Sequence, residues 1–336
     1  PEIAASPGHE AGNMTRAEVT ELLFRMPWQE LKNAAWQARC ENLGRHVFVR
    51  GLIEFSNVCR RNCLYCGLRR ENHTVRRYCL KKKDILAAAR TAAAAGADTI
   101  VLQSGEAGRN PEWLAEIVAA VKAATALPIP LSVGEQPRSW YALWKEAGAN
   151  RFLIRHETAD ARLYAALHPG YTLQQRRQAQ ESLADLGYEL GTGFLVGVPG
   201  QKPESLADDI LLTRDMKAAM CGVGPFIPQS ATPLAHAPHG SIPLTLRVMA
   251  VLRLAAPWLN MPATTALASL DPTRGQQDGL EAGGNVLMPS FTPRLRQAAY
   301  RIYDGKARVD MDAVRCAIEN ARLTHTLPVP ADMPPK

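Results

Sequence analysis

Three cysteines lie close together in the sequence, at Cys59, Cys63 and Cys66, in the spacing C-x3-C-x2-C. Clustered thiols outside a secreted disulfide framework are typical of metal sites. A closed zinc site needs a fourth ligand, for which His73 is a candidate, and a ferredoxin-type cluster takes four cysteines. Three thiolates instead favour a 4Fe–4S cluster with one iron open to a substrate, by the logic that leaves one position open on catalytic zinc.

The remaining sequence features predict a cytoplasmic chain. Seven cysteines are an odd number, and we expect the four scattered ones to be small buried side chains. These four are Cys40, Cys79, Cys221 and Cys316. The N-terminal residues lack the order of a signal peptide and resemble a loose leader before a helix near Thr15. No uncharged apolar run reaches about 18 residues, so we expect no membrane contact.

The chain of 336 residues carries a formal net charge of +7. Much of the positive charge follows the cysteines: Arg60, Arg61, Arg69, Arg70, Arg76, Arg77, Lys81, Lys82 and Lys83. These residues form either a solvated rim or a docking surface for an acidic partner or an anionic substrate. An aromatic content of 6% and the lack of a stacking or zinc-finger motif argue against nucleic acid.

Eight apolar runs alternate with helical stretches, which predicts a parallel α/β sheet. The predicted strands are 46–56, 98–104, 129–135, 151–157, 191–199, 222–228, 261–268 and 285–290. The predicted helices are 83–95, 111–125, 138–148, 159–167, 173–187, 204–217, 244–257 and 274–282. Eight such units predict a complete (β/α)8 TIM barrel over 45–290, with short helical extensions at 1–44 and 291–336. A doubly wound open sheet is the alternative, although no G-x-G-x-x-G opens a first helix. In the C-terminal extension, 311–323 should be helical.

Polar residues gather where these strands end, and the carboxyl ends of barrel strands carry the active site. The cysteines follow the first strand. Further polar positions at strand ends are Gln103 to Glu106, Ser132, Glu135, Arg155 to Glu157, Thr264 and Thr265, with Met288 on the eighth strand. A barrel wall needs no such residues, so we expect a site there.

The cysteine motif, with Tyr65 before its last cysteine and the eightfold alternation around it, resembles the radical S-adenosylmethionine (SAM) superfamily. Within it the chain resembles the HydE family, maturases of FeFe hydrogenases. The matching stretches run from about residue 50 to 293 and include "VCRRNCLYCGLRREN", "VLQSGE", "RFLIRHETA", "LHPGYT", "GFLVGVPGQ", "PATTAL" and "NVLMPSFTP". The resemblance implies that Cys59, Cys63 and Cys66 bind a 4Fe–4S cluster whose open iron binds SAM. It also implies reductive cleavage of SAM to a 5′-deoxyadenosyl radical.

The resemblance assigns further roles residue by residue. The SAM contacts implied are Tyr65, Ser104, Gly105, Glu106, Ser132, Glu157 and Arg176. The substrate contacts implied are Gln103, Arg155, Thr264, Thr265, Met288 and, closing the cavity, Tyr300 or its neighbour Tyr303. An internal ion pair is the alternative for Arg155 and Glu157. His156 is equally consistent with a catalytic and a supporting role.

The family implies a small, sulfur-containing iron carbonyl cyanide precursor as substrate, other hydrogenase maturases as partners, and a flavodoxin or ferredoxin as electron donor. The chain departs from some members in having only Cys316 near its C-terminus, which argues against a second cluster. Another radical SAM enzyme, of the biotin synthase or methylornithine synthase type, is the second interpretation. Biotin synthase needs further cysteines that are missing here, and methylornithine synthase needs an extra acidic residue in the cavity. A cluster-carrying scaffold or electron-transfer module is the third.

Overall fold

The computed structural model describes residues 14–108 and 110–325 of the chain. The strands are β1 (Phe48–Ser56), β2 (Thr99–Ser104), β3 (Pro130–Ser132), β4 (Arg151–Leu153), β5 (Glu189–Val196), β6 (Met220–Pro225) and β7 (Val286–Leu287). The helices of the N-terminal half are α1 (Arg16–Phe24), α2 (Trp28–Leu43), α3 (Lys82–Ala94), α4 (Pro111–Thr125), α5 (Arg138–Glu146) and α6 (Ala161–Leu167). Those that follow are α7 (Leu173–Asp185), α8 (Pro203–Asp215), α9 (Ile242–Ala255), α10 (Thr265–Leu270), α11 (Gly275–Glu281), α12 (Arg294–Gln297) and α13 (Met311–Asn320).

The seven described strands form one sheet in the order β6-β5-β4-β3-β2-β1-β7, and every pair is parallel. Neighbours in the sheet are neighbours in the chain for six of them, with helices in the connections, as expected for repeated β–α units. The α/β class and the parallel sheet are therefore confirmed, whereas a complete eight-stranded barrel is not.

The prediction of a seventh strand over 261–268 is wrong. The chain there makes isolated bridges, Met220 with Asn260 and Pro262 with Val286, and then enters α10. Pro262 has no N–H to donate to a ladder, and the following Ala- and Leu-rich residues favour a helix. The short extended segment thus lies between β6 and β7 without being a regular strand.

Helices cover the outer face of the sheet. A Cβ on Gly51 of β1 would lie 2.8 Å from the Cβ of Ala92 in α3, so the strand and the helix are in close contact here. Because side chains alternate along a strand, Arg50, Leu52 and Glu54 point to the opposite, inner face. The first strand therefore carries two charged residues into the interior, both almost fully buried.

The chain ends add helices to both sides of this unit. Thr15 caps α1 in a capping box with Glu18, which confirms the predicted helix start. The predicted helix at 311–323 is also confirmed, as α13, although it ends earlier. The predicted boundaries of the extensions stay predictions, and residues 1–13 and 326–336 lie outside the described residues.

Candidate active site at the carboxyl ends of the strands

The loop with the three cysteines leaves the end of β1 and is held on three sides. The Arg60 amide donates to the Glu106 carbonyl (2.8 Å) after β2, the Leu64 amide to Leu167 (2.9 Å) at the end of α6, and the Gly67 amide to Ile302 (2.9 Å). Gly105 is needed for this approach, because a Cβ there would lie 2.5 Å from the Val58 carbonyl oxygen. The loop is thus fixed by backbone contacts from distant parts of the chain.

The three thiols are largely withdrawn from solvent and fit a cluster better than a single ion. Burial raises the pKa of all three thiols. The pKa of Cys63 rises to about 12, and that of Cys66 rises further. Among the described residues, the three sulfurs do not belong to any set of ligand atoms within 4.8 Å of one another. Thiolates around one zinc ion, at ~2.3 Å from the metal, would lie about 3.8 Å apart. The wider spacing of the three sulfurs favours a cluster.

The charge around this loop is less exposed than the sequence suggests. Arg77 donates to the carbonyl oxygens of Asn57, Leu68, Arg69 and Asn72, at 2.7 to 3.1 Å, and so closes the loop from outside. Arg61 is buried. The cations exposed here are Arg60, Arg70, Arg76, Lys81, Lys82 and Lys83. Six of these nine cations are therefore exposed, as in a solvated rim. Of the other three, Arg61 is buried, and Arg69 and Arg77 are half-buried.

Two arginines and two glutamates form a buried network beside the cysteines, which we name the cluster-loop wall: Arg61, Glu106, Glu135 and Arg176. Arg61 donates to Glu106 (2.5 Å) and to Glu135 (2.5 Å), and Arg176 donates to the other oxygen of Glu135. Burial alone would raise the pKa of Glu135, but Arg176 and Arg61 together outweigh it, and the pKa is lowered. The wall is therefore charged and internally paired.

Tyr65, a predicted SAM contact, is held by a histidine. Its hydroxyl lies 2.9 Å from Nε2 of His168, and the His168 ring stacks on Tyr164 at 4.1 Å between centroids. Nδ1 of His168 lies 2.8 Å from the Tyr164 carbonyl oxygen, which can only accept, so Nδ1 carries the proton and Nε2 accepts from Tyr65. Burial lowers the pKa of His168 to about 4. The "LHP" motif thus places a neutral imidazole behind Tyr65.

The other predicted SAM contacts end up near the cysteines but in different states. The Glu106 carboxylate accepts bonds from Arg60, Arg61 and the Glu135 amide, and the Ser104 hydroxyl donates to the Gly105 carbonyl. Ser132 is half-buried at the end of β3. Glu157 has a φ of 62°, unusual for a residue with a side chain, and its carboxylate accepts from Arg155 (3.0 Å).

A cavity of about 540 Å³ lies against the inner face of β1 and the residues that follow β7. The segment 294–309 covers it. Three predicted substrate contacts line it, namely Thr265, Met288 and Tyr300, and so does Tyr303, the alternative to Tyr300. Gln103 lies next to them, because its amide donates to the Tyr300 hydroxyl (3.3 Å). The structure therefore brings these four together, as the sequence predicts.

Arg155 and Thr264 lie apart from that lining, over the glycines of β6, and we name this region the β6 face. A Cβ on Gly222 would be 3.7 Å from Nη1 of Arg155, and one on Gly224 would be 3.1 Å from the Thr264 hydroxyl. Nη2 of Arg155 and the Thr264 hydroxyl are buried without a hydrogen-bond partner. Glycines in a strand make room for a close neighbour, and unsatisfied buried donors indicate a missing one.

Sequence reasoning missed the charged pair inside the cavity. Lys306 donates to Glu54 and lies over the Tyr300 ring, 4.9 Å from its centroid. Glu54 also accepts from Thr292 (3.1 Å) and Ser290 (3.3 Å). Glu54 lies within the first predicted strand, 46–56, but its partner lies 252 residues away and no local pattern points to it.

His156 has a supporting place in the structure. It is buried, with Nδ1 at 2.7 Å from the Thr192 hydroxyl and Nε2 at 3.4 Å from Asp209. Of the four scattered cysteines, Cys221 is buried as expected, Cys40 and Cys79 are half-buried, and Cys316 is exposed. The expectation of a small buried side chain is therefore wrong for Cys316. Among the described helices, none is long and apolar enough to cross a membrane.

The arrangement can bind a cluster at three thiols, hold a ligand between the cluster-loop wall and the β6 face, and enclose a substrate in the adjoining cavity.

A model of the radical SAM superfamily matches residues 53–212. The FeFe hydrogenase maturase subunit HydE of Thermotoga maritima is 42% identical over 94% of this chain and 88% of its own length.

Methylornithine synthases are also similar. The enzyme of Methanosarcina acetivorans is 30% identical over 77% of this chain and 73% of its own length. The crystal structure of methylornithine synthase (PylB) superposes with a TM-score of 0.83, covering 94% of each chain at 28% identity. The predicted superfamily and the predicted relation to HydE are thus confirmed: the chain is a radical SAM enzyme and belongs to the HydE family.

Proposed function

We propose that this enzyme is a cytoplasmic maturase that helps to assemble the di-iron part of an FeFe hydrogenase active site. The observation that carries the proposal is the cavity beside the cysteine loop. Four cations line it, Arg294, Arg301, Lys306 and Arg308, against two acids, Glu54 and Asp304. A site of this charge suits a small anionic substrate.

Cys59, Cys63 and Cys66 would hold the 4Fe–4S cluster, and SAM would complete the open iron. When bound and reduced, the cluster supplies the electron that splits SAM into methionine and a 5′-deoxyadenosyl radical. The chain's own part is positioning. Arg176 fixes the wall beside the thiols, and Tyr65 presents its ring next to the last cysteine. Arg155, with Nη2 unpaired, is the donor that we assign to a carboxylate of the bound ligands.

Glu106 contributes to this site by a different route from the one its sequence motif suggests. Its carboxylate already accepts three hydrogen bonds, so it fixes the cysteine loop against the ends of β2 and β3. We assign direct SAM contacts to Ser104, Gly105, Ser132 and Glu157, which lie at or shortly after the carboxyl ends of β2, β3 and β4.

The substrate we propose is a small sulfur-containing iron carbonyl cyanide species, handed over by another maturase. Cyanide and carboxylate groups are anionic, so they suit a cavity with excess cations. A volume of about 540 Å³ holds a molecule of that size. Gln103, Thr265, Met288 and Tyr300 would orient it in the cavity, and Thr264 would bind it from the β6 face. The covering segment 294–309 would exclude water from a reactive intermediate.

Methylornithine synthesis is the second candidate, favoured by the 0.83 TM-score with PylB. A diamino acid carries two ammonium groups, so its site needs free carboxylates. Here Glu54 already binds Lys306, and Asp304 accepts from the Ser230 amide (2.7 Å). Glu54, the buried acid of the cavity, is thus neutralised by Lys306, which favours the maturase.

Electrons would come from an acidic flavodoxin or ferredoxin that docks on the six exposed cations around the cysteine loop. Electrostatic docking predicts that the reduction rate falls as salt rises from low to physiological concentration. A rate that does not change with salt would show that these cations do not guide the donor.

The test is anaerobic. The protein is reconstituted with iron and sulfide, supplied with dithionite and SAM, and assayed for 5′-deoxyadenosine. Wild type should form it and Cys63→Ala should not, whereas Cys316→Ala, which removes an exposed thiol, should match wild type. No deoxyadenosine from a protein with a full cluster would contradict the SAM-cleaving role and favour a scaffold.

A second arm separates the two candidate functions. The reconstituted enzyme is added to a hydrogenase maturation mixture that lacks only its HydE component, and separately to lysine, an isomer of 3-methylornithine. Recovered hydrogenase activity with unchanged lysine is the expected result. Conversion of lysine without recovered hydrogenase activity would support the methylornithine synthase reaction instead.

A further inference from the structure

Three ligand-bearing side chains meet at the opposite end of the sheet from the cysteines. Among residues 14–108 and 110–325, one atom each from His46, Asp98 and His325 lie within 4.8 Å of one another. They precede β1, precede β2 and follow α13. The nine residues of β1 separate this place from the cysteine loop by roughly 30 Å.

Backbone pairing brings the two histidines together. The Thr324 amide donates to Arg45 (3.0 Å) and the Val47 amide to Thr324 (2.9 Å), so the chain after α13 runs parallel to the segment before β1. The two imidazole rings lie 5.1 Å apart, edge to face. Asp98 is fixed by the Val49 amide, which donates to its Oδ2 (2.7 Å).

His325 is the observation that points to a ligand. Its side chain is only 2% exposed, yet neither ring nitrogen has a hydrogen-bond partner. A buried imidazole with both nitrogens unsatisfied is costly, and such groups usually have a partner that the protein alone does not supply. Its Nε2 faces Oδ2 of Asp98 at 3.5 Å, outside hydrogen-bond geometry.

That separation suits two ligands of one metal ion. Ligands that are 2.0–2.1 Å from a tetrahedral zinc ion lie about 3.4 Å apart. Two imidazoles and a carboxylate are a common ligand set for zinc, and imidazole also suits cobalt and nickel.

We propose that His46, Asp98 and His325 bind a zinc-type divalent ion that fastens the chain after α13 to the amino ends of β1 and β2. Water would occupy the fourth position, since Asp98 is partly exposed. The site is structural, because it is remote from the cysteines, and it does not depend on the proposed function. Zinc should therefore stabilise the fold without changing the SAM chemistry.

The experiment uses the full chain with its reconstituted iron–sulfur cluster, so that the cluster cysteines are occupied. Zinc chloride is added, excess metal is removed by desalting, and zinc per chain is measured together with Zn K-edge X-ray absorption. We expect one zinc per chain, with nitrogen or oxygen neighbours at ~2.0–2.1 Å and no sulfur neighbour at ~2.3 Å. The melting temperature should rise with zinc concentration.

His325→Gln should weaken zinc binding by at least ~100-fold, since even the loss of a group behind a ligand costs 10- to 100-fold. Asp98→Asn, which keeps an oxygen for the Val49 amide, should do the same and serves if His325→Gln fails to fold. His236→Gln, which alters an exposed histidine elsewhere, should bind zinc like wild type. Deoxyadenosine formation by each variant reports an intact fold.

Two results would overturn the proposal. One is zinc held by sulfur in wild type, which would identify a thiol as the ligand. The other is equal zinc retention in wild type and in folded His325→Gln and Asp98→Asn proteins.

Discussion

The cluster-loop wall and the β6 face both lie towards the carboxyl ends of the strands, and they differ in how their buried polar atoms are satisfied. In the wall, Arg61 and Arg176 both donate to the Glu135 carboxylate. On the β6 face, Nη2 of Arg155 and the Thr264 hydroxyl are buried without partners. A paired network is rigid before any ligand arrives, whereas unpaired donors gain their partners when one binds. The wall is thus a scaffold for the cysteines, and the β6 face is where a ligand makes new bonds.

The largest effect should come from breaking the wall. Glu135→Gln removes the charge that Arg61 and Arg176 share, which leaves the buried Arg176 without its carboxylate partner and Arg61 with Glu106 alone. We expect a loss of about 3–5 kcal/mol in the free energy of unfolding, measured with denaturant, and less iron bound per chain.

Glu189→Gln is the matched control. Glu189 pairs with Arg151 at 2.7 Å, but its side chain is 41% exposed. Such a pair contributes only ~0–1 kcal/mol. If Glu135→Gln were no more destabilising than this control, the wall would not be the rigid side of the site.

The β6 face should respond in activity rather than in stability. Arg155→Lys keeps a cation next to Glu157 but cannot supply the second nitrogen. A hydrogen bond to a charged group contributes ~1.5–3 kcal/mol, so deoxyadenosine formation should fall roughly 10- to 100-fold, with little change in unfolding.

The opposite pattern would reverse the comparison. An Arg155→Lys protein that unfolds easily but keeps full activity once folded would show that Arg155 belongs to the scaffold. Arg177→Lys on α7, a partly exposed arginine, provides the control and should change neither quantity.

A pH effect should arise behind Tyr65. His168 has a folded pKa of about 4, against an ordinary value of 6.5. The unfolded chain therefore binds a proton as pH falls below 6.5 while the folded chain does not, so stability is present above 6.5 and is lost between 6.5 and 4. From pH 7 to 5 the loss should be about 2 kcal/mol.

His168→Gln isolates that contribution. His325, whose pKa is also lowered to about 4, acts in the same direction in both proteins, so the difference between them belongs to His168. The Glu135 carboxylate affects stability only at pH values below this range, because its pKa is lowered from an ordinary value of 4.5. Identical pH dependence in wild type and His168→Gln would show that His168 can be protonated in the fold.

The same contrast shows what the sequence can and cannot predict. The cysteine spacing is a local pattern, and strand ends meet at one edge of a parallel sheet, so the place of the site follows from the sequence. The alternation of apolar runs and helical stretches likewise predicts most elements. It fails at 261–268, where the Thr residues suggest a strand but Pro262 and the Ala-rich run that follows favour bridges and a helix.

The wall could not be predicted, because its pairs join residues 41 to 74 positions apart. The sequence places Glu135 as a polar residue at a strand end, but nothing local shows that it joins Arg61 to Arg176. Charge counting also cannot separate a buried cation from an exposed one, so Arg61 and Arg77 were grouped with the rim. Which atoms are left without partners, as on Arg155, Thr264 and His325, depends on the whole fold.

The smallest effect should come from Tyr65→Phe, which keeps the ring and removes only the hydroxyl that donates to Nε2 of His168. The bond contributes ~1 kcal/mol to stability at pH 7. Its loss also frees Nε2 to take a proton, so the pKa of His168 should rise and the loss of stability from pH 7 to 5 should shrink. Unfolding at both pH values measures the two effects, with Tyr171→Phe, whose ring lies against Arg61, as the control that retains wild-type pH dependence. If Tyr65→Phe kept the full pH dependence, burial alone would hold His168 neutral, and the hydrogen bond from Tyr65 would not contribute to the pH effect.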